Sequence, residues 1–328
     1  MAYFRHDTLD DLMREVFETV QSVGRSVHAS RGLCLEITGA MLELTNVRAR
    51  LSRSETKGTP FSALGEFCWY LSGRSDFHSI DYYIKGAYEL DKDVEEDGVT
   101  ISGAYGPRLI GSGQLEQVIQ LLTRKATTRQ AVIQLFDAED LASGQRDVPC
   151  TCTLQLLNRA GALEMVVYMR SNDAYKGLPH DVFCFTLLQE WIACRVGLEP
   201  GTYKHAVGSL HIYNDDFERV KRYLNEGLQS KLSPMPSMPK EDPIGALGAL
   251  LDAEQALRTM PAGLATAKAY EVALDPFWAD LVRLLRAYRH FKNRDGEAIL
   301  ETRASMASPV YWAFLTRRAN DAAAQHAS

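Results

Sequence analysis

The stretch "PHDVFCFTLLQEWIACRV" (179–196) constrains the fold more than any other part of the chain. It has helical length and is apolar nearly all round, which predicts a buried helix rather than a surface one. Strand-like runs flank it. "RQAVIQLF" (129–136) and "CTLQLLNRAGALEMVVYMRS" (152–171) precede it, the latter reading as two strands joined by a turn at Arg159–Gly161, and "YKHAVGSLHIY" (203–213) follows it. Residues 33–47 alternate in part and predict one or two more strands. Apolar positions at Leu9, Leu12, Met13, Val16, Phe17 and Val20 predict a helix over 7–24, and 60–72 and 114–125 read as helices too. "GAYGPR" (103–108) reads as a loop. The expected body is α+β, a mixed β-sheet packed with helices, over residues 1–230.

From about 230 the texture changes. "SKLSPMPSMPKEDP" is a Pro/Ser-rich connector. Residues 231–328 read as a mostly helical part packed on the same domain. In 275–291, for example, Asp275 suits an N-cap and Pro276 the first helical position. With 328 residues, 46% of them hydrophobic, the chain can bury a sizeable core. The net charge of −6 argues against nucleic acid as a partner, although a local basic cluster can still hold one phosphorylated small molecule. No run of about 18 apolar residues predicts a membrane span, and the acidic, amphipathic start does not resemble a signal peptide. The six cysteines form no C-x-x-C pair and mostly sit in apolar runs, so a reduced, cytoplasmic protein without a metal is expected.

Polar residues that interrupt apolar runs carry the chemistry. Glu66 lies in the apolar middle of the 60–72 helix, where a carboxylate needs a partner or a task. Cys150, in "RDVPCTCTLQL" (146–156), suits a nucleophile, half of a metal site or a small buried residue. No third and fourth ligand at suitable spacing support the metal. A zinc deaminase needs H-x-E and P-C-x-x-C, which are absent. Arg170 and Ser171 at a strand end make a plausible phosphate grip. His211 and Tyr213 share a strand face and suit sugar hydroxyls, and Asp181 could read a base edge. Each also has an ordinary alternative: a packed thiol, a surface Arg-Ser pair, locally bonded His and Tyr, a helix-start aspartate. Together they suggest a nucleoside monophosphate site with a cysteine inside it.

Six stretches resemble the thymidylate synthase superfamily, which includes pyrimidine-nucleotide hydroxymethylases: "GEFCWYLSG" (65–73), "AYGPR" (104–108), "RQAVIQLFD" (129–137), "VPCTCTLQL" (148–156), "YMRSNDAYKGLPHDV" (168–182) and "GSLHIYNDD" (208–216). The resemblance covers about 30–230, leaves residues beyond about 220 divergent, and implies that superfamily's fold. It makes Cys150 the nucleophile toward C6 of a pyrimidine and Glu66 the organiser of protons and water. Tyr105 becomes an active-site tyrosine, Arg170 and Ser171 phosphate ligands, and Asp173 the carboxylate that binds the folate pterin. His211 and Tyr213 become the sugar-hydroxyl pair. Arg129 would reach the phosphate across a homodimer interface, with Gln130 in place of the family's second arginine. Arg31 is the best candidate for a further phosphate arginine. The implied co-substrate is 5,10-methylenetetrahydrofolate.

The departures from the family are as informative. Synthases read uracil with an asparagine where this chain has Asp181. A protonated carboxyl matches cytosine, accepting from N4–H₂ and donating to N3, and cytosine-specific hydroxymethylases of the family carry aspartate there. Thr151 stands for a histidine, Met169 for a glutamine, and the folate-closing tail is not recognisable. These changes fit capture of the one-carbon intermediate by water rather than hydride. Ala174, where synthases favour valine, leaves room for a 2′-hydroxyl. The resemblance thus implies a CMP (or dCMP) 5-hydroxymethylase, with CMP favoured and a nucleoside-antibiotic pathway as one setting. The alternatives are a thymidylate-synthase-type C5-methylase and a non-catalytic nucleotide-binding protein.

Overall fold

The computed structural model describes residues 2–29, 31–58, 60–142 and 144–327. Chain order begins with β1 (Ala2–His6), α1 (Leu9–Val23), β2 (Arg25–Ala29) and β3 (Gly32–Leu44). Thr8 caps α1 by accepting from the Asp11 amide, and all six predicted apolar positions of that helix are buried. β1 runs parallel and β2 antiparallel to β3. Neither short strand was expected, since β2 is largely exposed and neither repeats a hydrophobic period.

α2 (Pro60–Leu71), α3 (Phe77–Tyr83) and α4 (Gln114–Arg124) follow. Within the segment expected as a loop, the chain instead enters a π-helical turn at Pro107–Gly111. Arg108 on that turn pairs with buried Asp140, which helps to explain why it is ordered. In "RQAVIQLF" only β4 (Val132–Gln134) forms a ladder, because the Leu135 and Phe136 amides both converge on the Cys152 carbonyl. A short helix, α5 (Glu139–Ala142), precedes the central hairpin.

β5 (Thr151–Arg159) and β6 (Ala162–Asp173) are joined at Ala160 and Gly161, both with positive φ (50° and 81°), as a tight primed turn requires. Leu154 and Leu156 on β5, and Leu163, Met165, Val167 and Met169 on β6, bury one face, while most residues between them are half-buried or exposed. Each large side chain so buried contributes about 2 kcal/mol. β7 (Glu199–Tyr213) lies parallel to β6. A parallel neighbour needs a crossover, and α6 (Leu178–Arg195) supplies it. Every α6 residue from Leu178 to Ala193 is buried. Two of its buried polar residues find partners: Glu190 pairs with Arg48 (2.7 Å) and Arg50, and the Gln189 amide nitrogen donates to the Leu163 carbonyl (2.8 Å). The seven-stranded mixed sheet runs β1-β3-β7-β6-β5-β4, with β2 beside β3.

After α7 (Phe217–Asn225) come α8 (Pro243–Thr259), α9 (Gly263–Ala273), α10 (Pro276–Lys292), α11 (Gly296–Ala304) and α12 (Trp312–Ala327). Asp275 caps α10 and Pro276 opens it, as the sequence suggested. These helices join the same hydrophobic core as the sheet. Trp278 is fully buried, Tyr83 donates to Glu254 (3.1 Å), and the Trp191 indole donates to the Pro243 carbonyl (2.7 Å). Among the described residues no helix is long and apolar enough to cross a membrane.

Candidate active site

Cys150 immediately precedes β5, after Pro149. Its carbonyl accepts from the Arg170 amide (2.9 Å), which ties it to β6. The Arg170 side chain wraps the same segment, donating to the carbonyls of Pro149 (2.9 Å) and Val148 (2.7 Å). Next to the thiol, Thr151 is sealed and donates from both its amide (3.1 Å) and its hydroxyl (2.9 Å) to the Tyr105 phenol. A neighbouring arginine charge favours a thiolate. Burial outweighs the pull of Arg170 and pushes the thiol up to about 11, with Asp147 and Asp181 adding to the rise. Cys152, two residues on, lies at a register shift between Thr151 and Thr153.

Across the site, α2 packs on α6. Glu66 accepts from the phenol of Tyr70 one turn later (2.6 Å). Its Oε2 is sealed from solvent without a hydrogen bond among the described residues and lies 3.9 Å from His180 Nδ1. Burial lifts Glu66 to about 7, although the tyrosine bond works against the shift. His180 Nε2 bonds the Ser62 hydroxyl (2.9 Å), and burial, helped by the charge of Lys57, drives the imidazole down to about 3. A carboxyl that changes protonation near neutrality beside a neutral imidazole is suited to moving a proton.

Asp181 sits in the first turn of α6, and burial pushes its carboxyl well above the usual range, with Glu66 adding to the effect. Its Oδ2 accepts from Asn172 Nδ2 on β6 at 2.6 Å. Its Oδ1 makes no hydrogen bond among the described residues. Asp173 Oδ1 accepts from the amides of Tyr175 and Lys176 (2.8 Å each), which turns the chain from β6 into α6. Burial raises this carboxyl too. Asp173 lies opposite His211 in the β6–β7 register. Ala174, fully buried, donates its amide to the His211 carbonyl (2.8 Å). The His211 and Tyr213 rings meet edge to face at 5.0 Å. Ser171, half-buried, faces Ser209 in the same register.

Arg31 pairs with Asp93 (3.1 Å) and donates to the Ala87 carbonyl (3.3 Å). It also acts electrostatically on Cys150, Asp147 and Tyr213, so it borders the cluster. Arg129 does not join it. That residue is exposed just before edge strand β4, and its carbonyl accepts from Gln155 (2.9 Å). Four members had been given no role from the sequence: Lys57, His180, Asn172 and Asp147. Lys57 is buried over the Tyr175 ring (4.7 Å) and pushed down to about 8 by burial; its signal was a lysine just ahead of the Glu66 helix. Asp147, three residues before the cysteine, is lifted to about 6 by burial. On the Asp173 side, a cleft of about 540 Å³ is bordered by Thr56, Tyr175, Arg219 and Arg222. Among the described residues no group of three or more His, Cys, Asp or Glu side chains is arranged to hold a metal.

A family profile described as "Thymidylate synthase" matches residues 10–242. A protein named deoxyuridylate hydroxymethyltransferase from Bacillus phage SP01 is 29% identical over 247 residues, 68% of this chain and 63% of that one. A protein of the same name from Pseudomonas phage M6 is 31% identical over 175 residues, 51% of this chain and 48% of that one. The matches therefore span less than two thirds of these curated relatives. Among solved structures, thermostable thymidylate synthase A from Bacillus subtilis superposes with a TM-score of 0.56 at 22% identity, covering 69% of this chain and 86% of that one. That likeness concerns the fold, which is the α+β fold expected from the sequence.

Proposed function

The chain belongs to the thymidylate synthase family, and from that premise we propose that it is a folate-dependent 5-hydroxymethylase acting on the cytosine ring of CMP or dCMP. The observation that carries this reading is Asp181. It is a carboxyl that burial raises well above the usual range, which favours its protonated form, with one oxygen held by Asn172 and no hydrogen bond on the other among the described residues. Such a group offers one donor and one acceptor side by side, the complement of cytosine N3 and N4–H₂.

In this reading Cys150 gives up its proton and its sulfur adds to C6, which makes C5 nucleophilic. Arg170 and Arg31 help the thiolate, opposing the burial that holds it protonated. 5,10-Methylenetetrahydrofolate would supply the one-carbon unit to C5 when bound, with C5 losing its proton and tetrahydrofolate leaving as the exocyclic methylene of the nucleotide forms. Asp173 suits its pterin: Oδ1 is committed to two backbone amides, while Oδ2 makes no hydrogen bond among the described residues. Glu66, with a pKa of about 7, takes the proton from the water that captures the exocyclic methylene of the nucleotide. Return of the ring electrons expels Cys150. Tyr105 holds Thr151 and so fixes the backbone beside the nucleophile.

Arg170, Ser171 and Arg31 are assigned to the phosphate and His211 and Tyr213 to the sugar. Ala174, small and beside His211, favours the ribose of CMP, a product suited to nucleoside-antibiotic assembly. The exposed, unengaged Arg129 fits a role in a homodimer, at the phosphate of the partner. A uracil nucleotide is the second reading, favoured by the names of the two phage relatives. Incubation with methylenetetrahydrofolate and, separately, CMP, dCMP and dUMP tests the proposal. A hydroxymethyl gain on a cytosine nucleotide, without the absorbance rise of dihydrofolate, is expected. A methyl product with dihydrofolate, or turnover of dUMP alone, would sink it.

A further inference from the structure

A carboxyl can pair with either pyrimidine, depending on which oxygen bears its proton. With the proton on Oδ1 and Oδ2 left as acceptor, Asp181 complements the N3 acceptor and N4–H₂ donor of cytosine. With the proton on Oδ2 and Oδ1 as acceptor, it complements the O4 acceptor and N3–H donor of uracil. Burial raises the Asp181 carboxyl well above the usual range, which favours a neutral form but does not choose between these two, so something must distinguish the two oxygens.

Asn172 distinguishes them. Its Nδ2, a donor only, lies 2.6 Å from Oδ2, and a proton on that oxygen would point at a donor. The contact is enclosed: both residues are buried, and a Cβ placed on Gly177 would come within 3.2 Å of Asn172 Nδ2 and 3.4 Å of Asp181 Oδ2. Gly177 therefore leaves the space in which the two side chains meet. The other end of the amide gains nothing locally. Asn172 Oδ1 is sealed without a hydrogen-bond partner among the described residues, an arrangement that folding alone disfavours. Oδ1 of Asp181, by contrast, makes no hydrogen bond among those residues, so a proton on it faces no protein donor.

We propose that Asn172 is a positioning residue for base choice: by donating to Asp181 Oδ2 it keeps the carboxyl proton on Oδ1, and so selects a 4-aminopyrimidine over a 4-oxopyrimidine. This rests on the cytosine reading above. No bond is made or broken in the step; one proton is kept on one of two oxygens of the same group. A carbonyl-type Oδ2 has two lone pairs, one for Asn172 and one for the exocyclic amine.

The test is calorimetric binding of CMP and UMP to the full-length protein and to Asn172→Leu and Asn172→Ser. The wild-type protein is expected to prefer CMP. Asn172→Leu, which keeps volume but removes the donor, should lower the CMP-to-UMP affinity ratio about tenfold or more, a loss that uniform damage to the site would not produce. Asn172→Ser, with a hydroxyl donor, should restore part of the ratio, and it decides the matter if the leucine variant does not fold. An unchanged ratio in a folded variant, with the wild-type preference for CMP intact, overturns the role of Asn172 alone. A wild-type protein that prefers UMP overturns the cytosine reading and this inference with it.

Discussion

Replacing Glu66 by glutamine should make the protein more stable at alkaline pH while disabling it. The carboxyl sits inside α2 with one oxygen bonded to Tyr70 and the other sealed without a hydrogen bond. Burial moves its pKa from the ordinary value of 4.5 to about 7. Between those two values the folded chain holds a proton that the unfolded chain has released. The stability contribution of Glu66 is therefore full below pH 4.5 and is lost as pH rises through 7. At about 1.4 kcal/mol for each pH unit of displacement, the loss is about 3 kcal/mol. Glutamine stays neutral at every pH and can still accept from the Tyr70 phenol. The stability of Glu66→Gln relative to wild type should therefore rise by about 3 kcal/mol between pH 4 and pH 8. For a chain of this length that is about 4 °C in melting temperature. Urea titrations of both proteins at several pH values read the difference directly. The other shifted groups nearby, Asp181 and His180, are common to both proteins and largely cancel. Parallel stability-versus-pH curves would refute the reasoning and mean that Glu66 is ionised in the folded protein across this range. Turnover should fall by at least about a hundredfold in the same variant, the usual scale for losing a general acid–base group.

Other consequences are as direct. Because burial holds the Cys150 thiol up to about 11, its alkylation by iodoacetamide, followed by peptide mass, should keep accelerating beyond pH 9; a plateau near neutral pH would show a preformed thiolate. Asp181→Asn keeps the shape but supplies a donor to O4 and an acceptor for N3–H, so kcat/KM should shift from CMP toward UMP by about a thousandfold or more; retained CMP preference would remove Asp181 as the base reader. Ala174→Val should depress CMP turnover at least about tenfold and spare dCMP, since the added methyls need the space assigned to a 2′-hydroxyl; equal activity on CMP would remove the structural argument for ribose.

Much of this layout was legible in the sequence because it rests on local rules. The period-2 runs of β5 and β6, the all-apolar α6 and the Asp275–Pro276 helix start each state their conformation within about a dozen residues. The oddity of Glu66 was visible too, as a carboxylate in an apolar helix. The short strands β1 and β2 were not legible, because five residues each are too few to show a hydrophobic period and their pairing with β3 is made by backbone groups. The π-helical turn at Pro107–Gly111 was hidden for a similar reason: it goes with an ion pair from Arg108 to Asp140, 32 residues away.

The sequence by itself determined the α+β class, the order of the main elements and the family resemblance, and it nominated the residues of the site. It could not say what those residues feel. The thiol of Cys150 is pushed up rather than down, Glu66 is brought to about 7, and His180 and Lys57 enter the site unannounced. Those outcomes depend on how much water each group loses and on which charges come within a few ångströms of it. Desolvation and Coulomb terms are set by distance in space, not in sequence. Asn172 and Asp181 are nine positions apart in the chain, and only the turn from β6 into α6, beside Gly177, brings them to 2.6 Å.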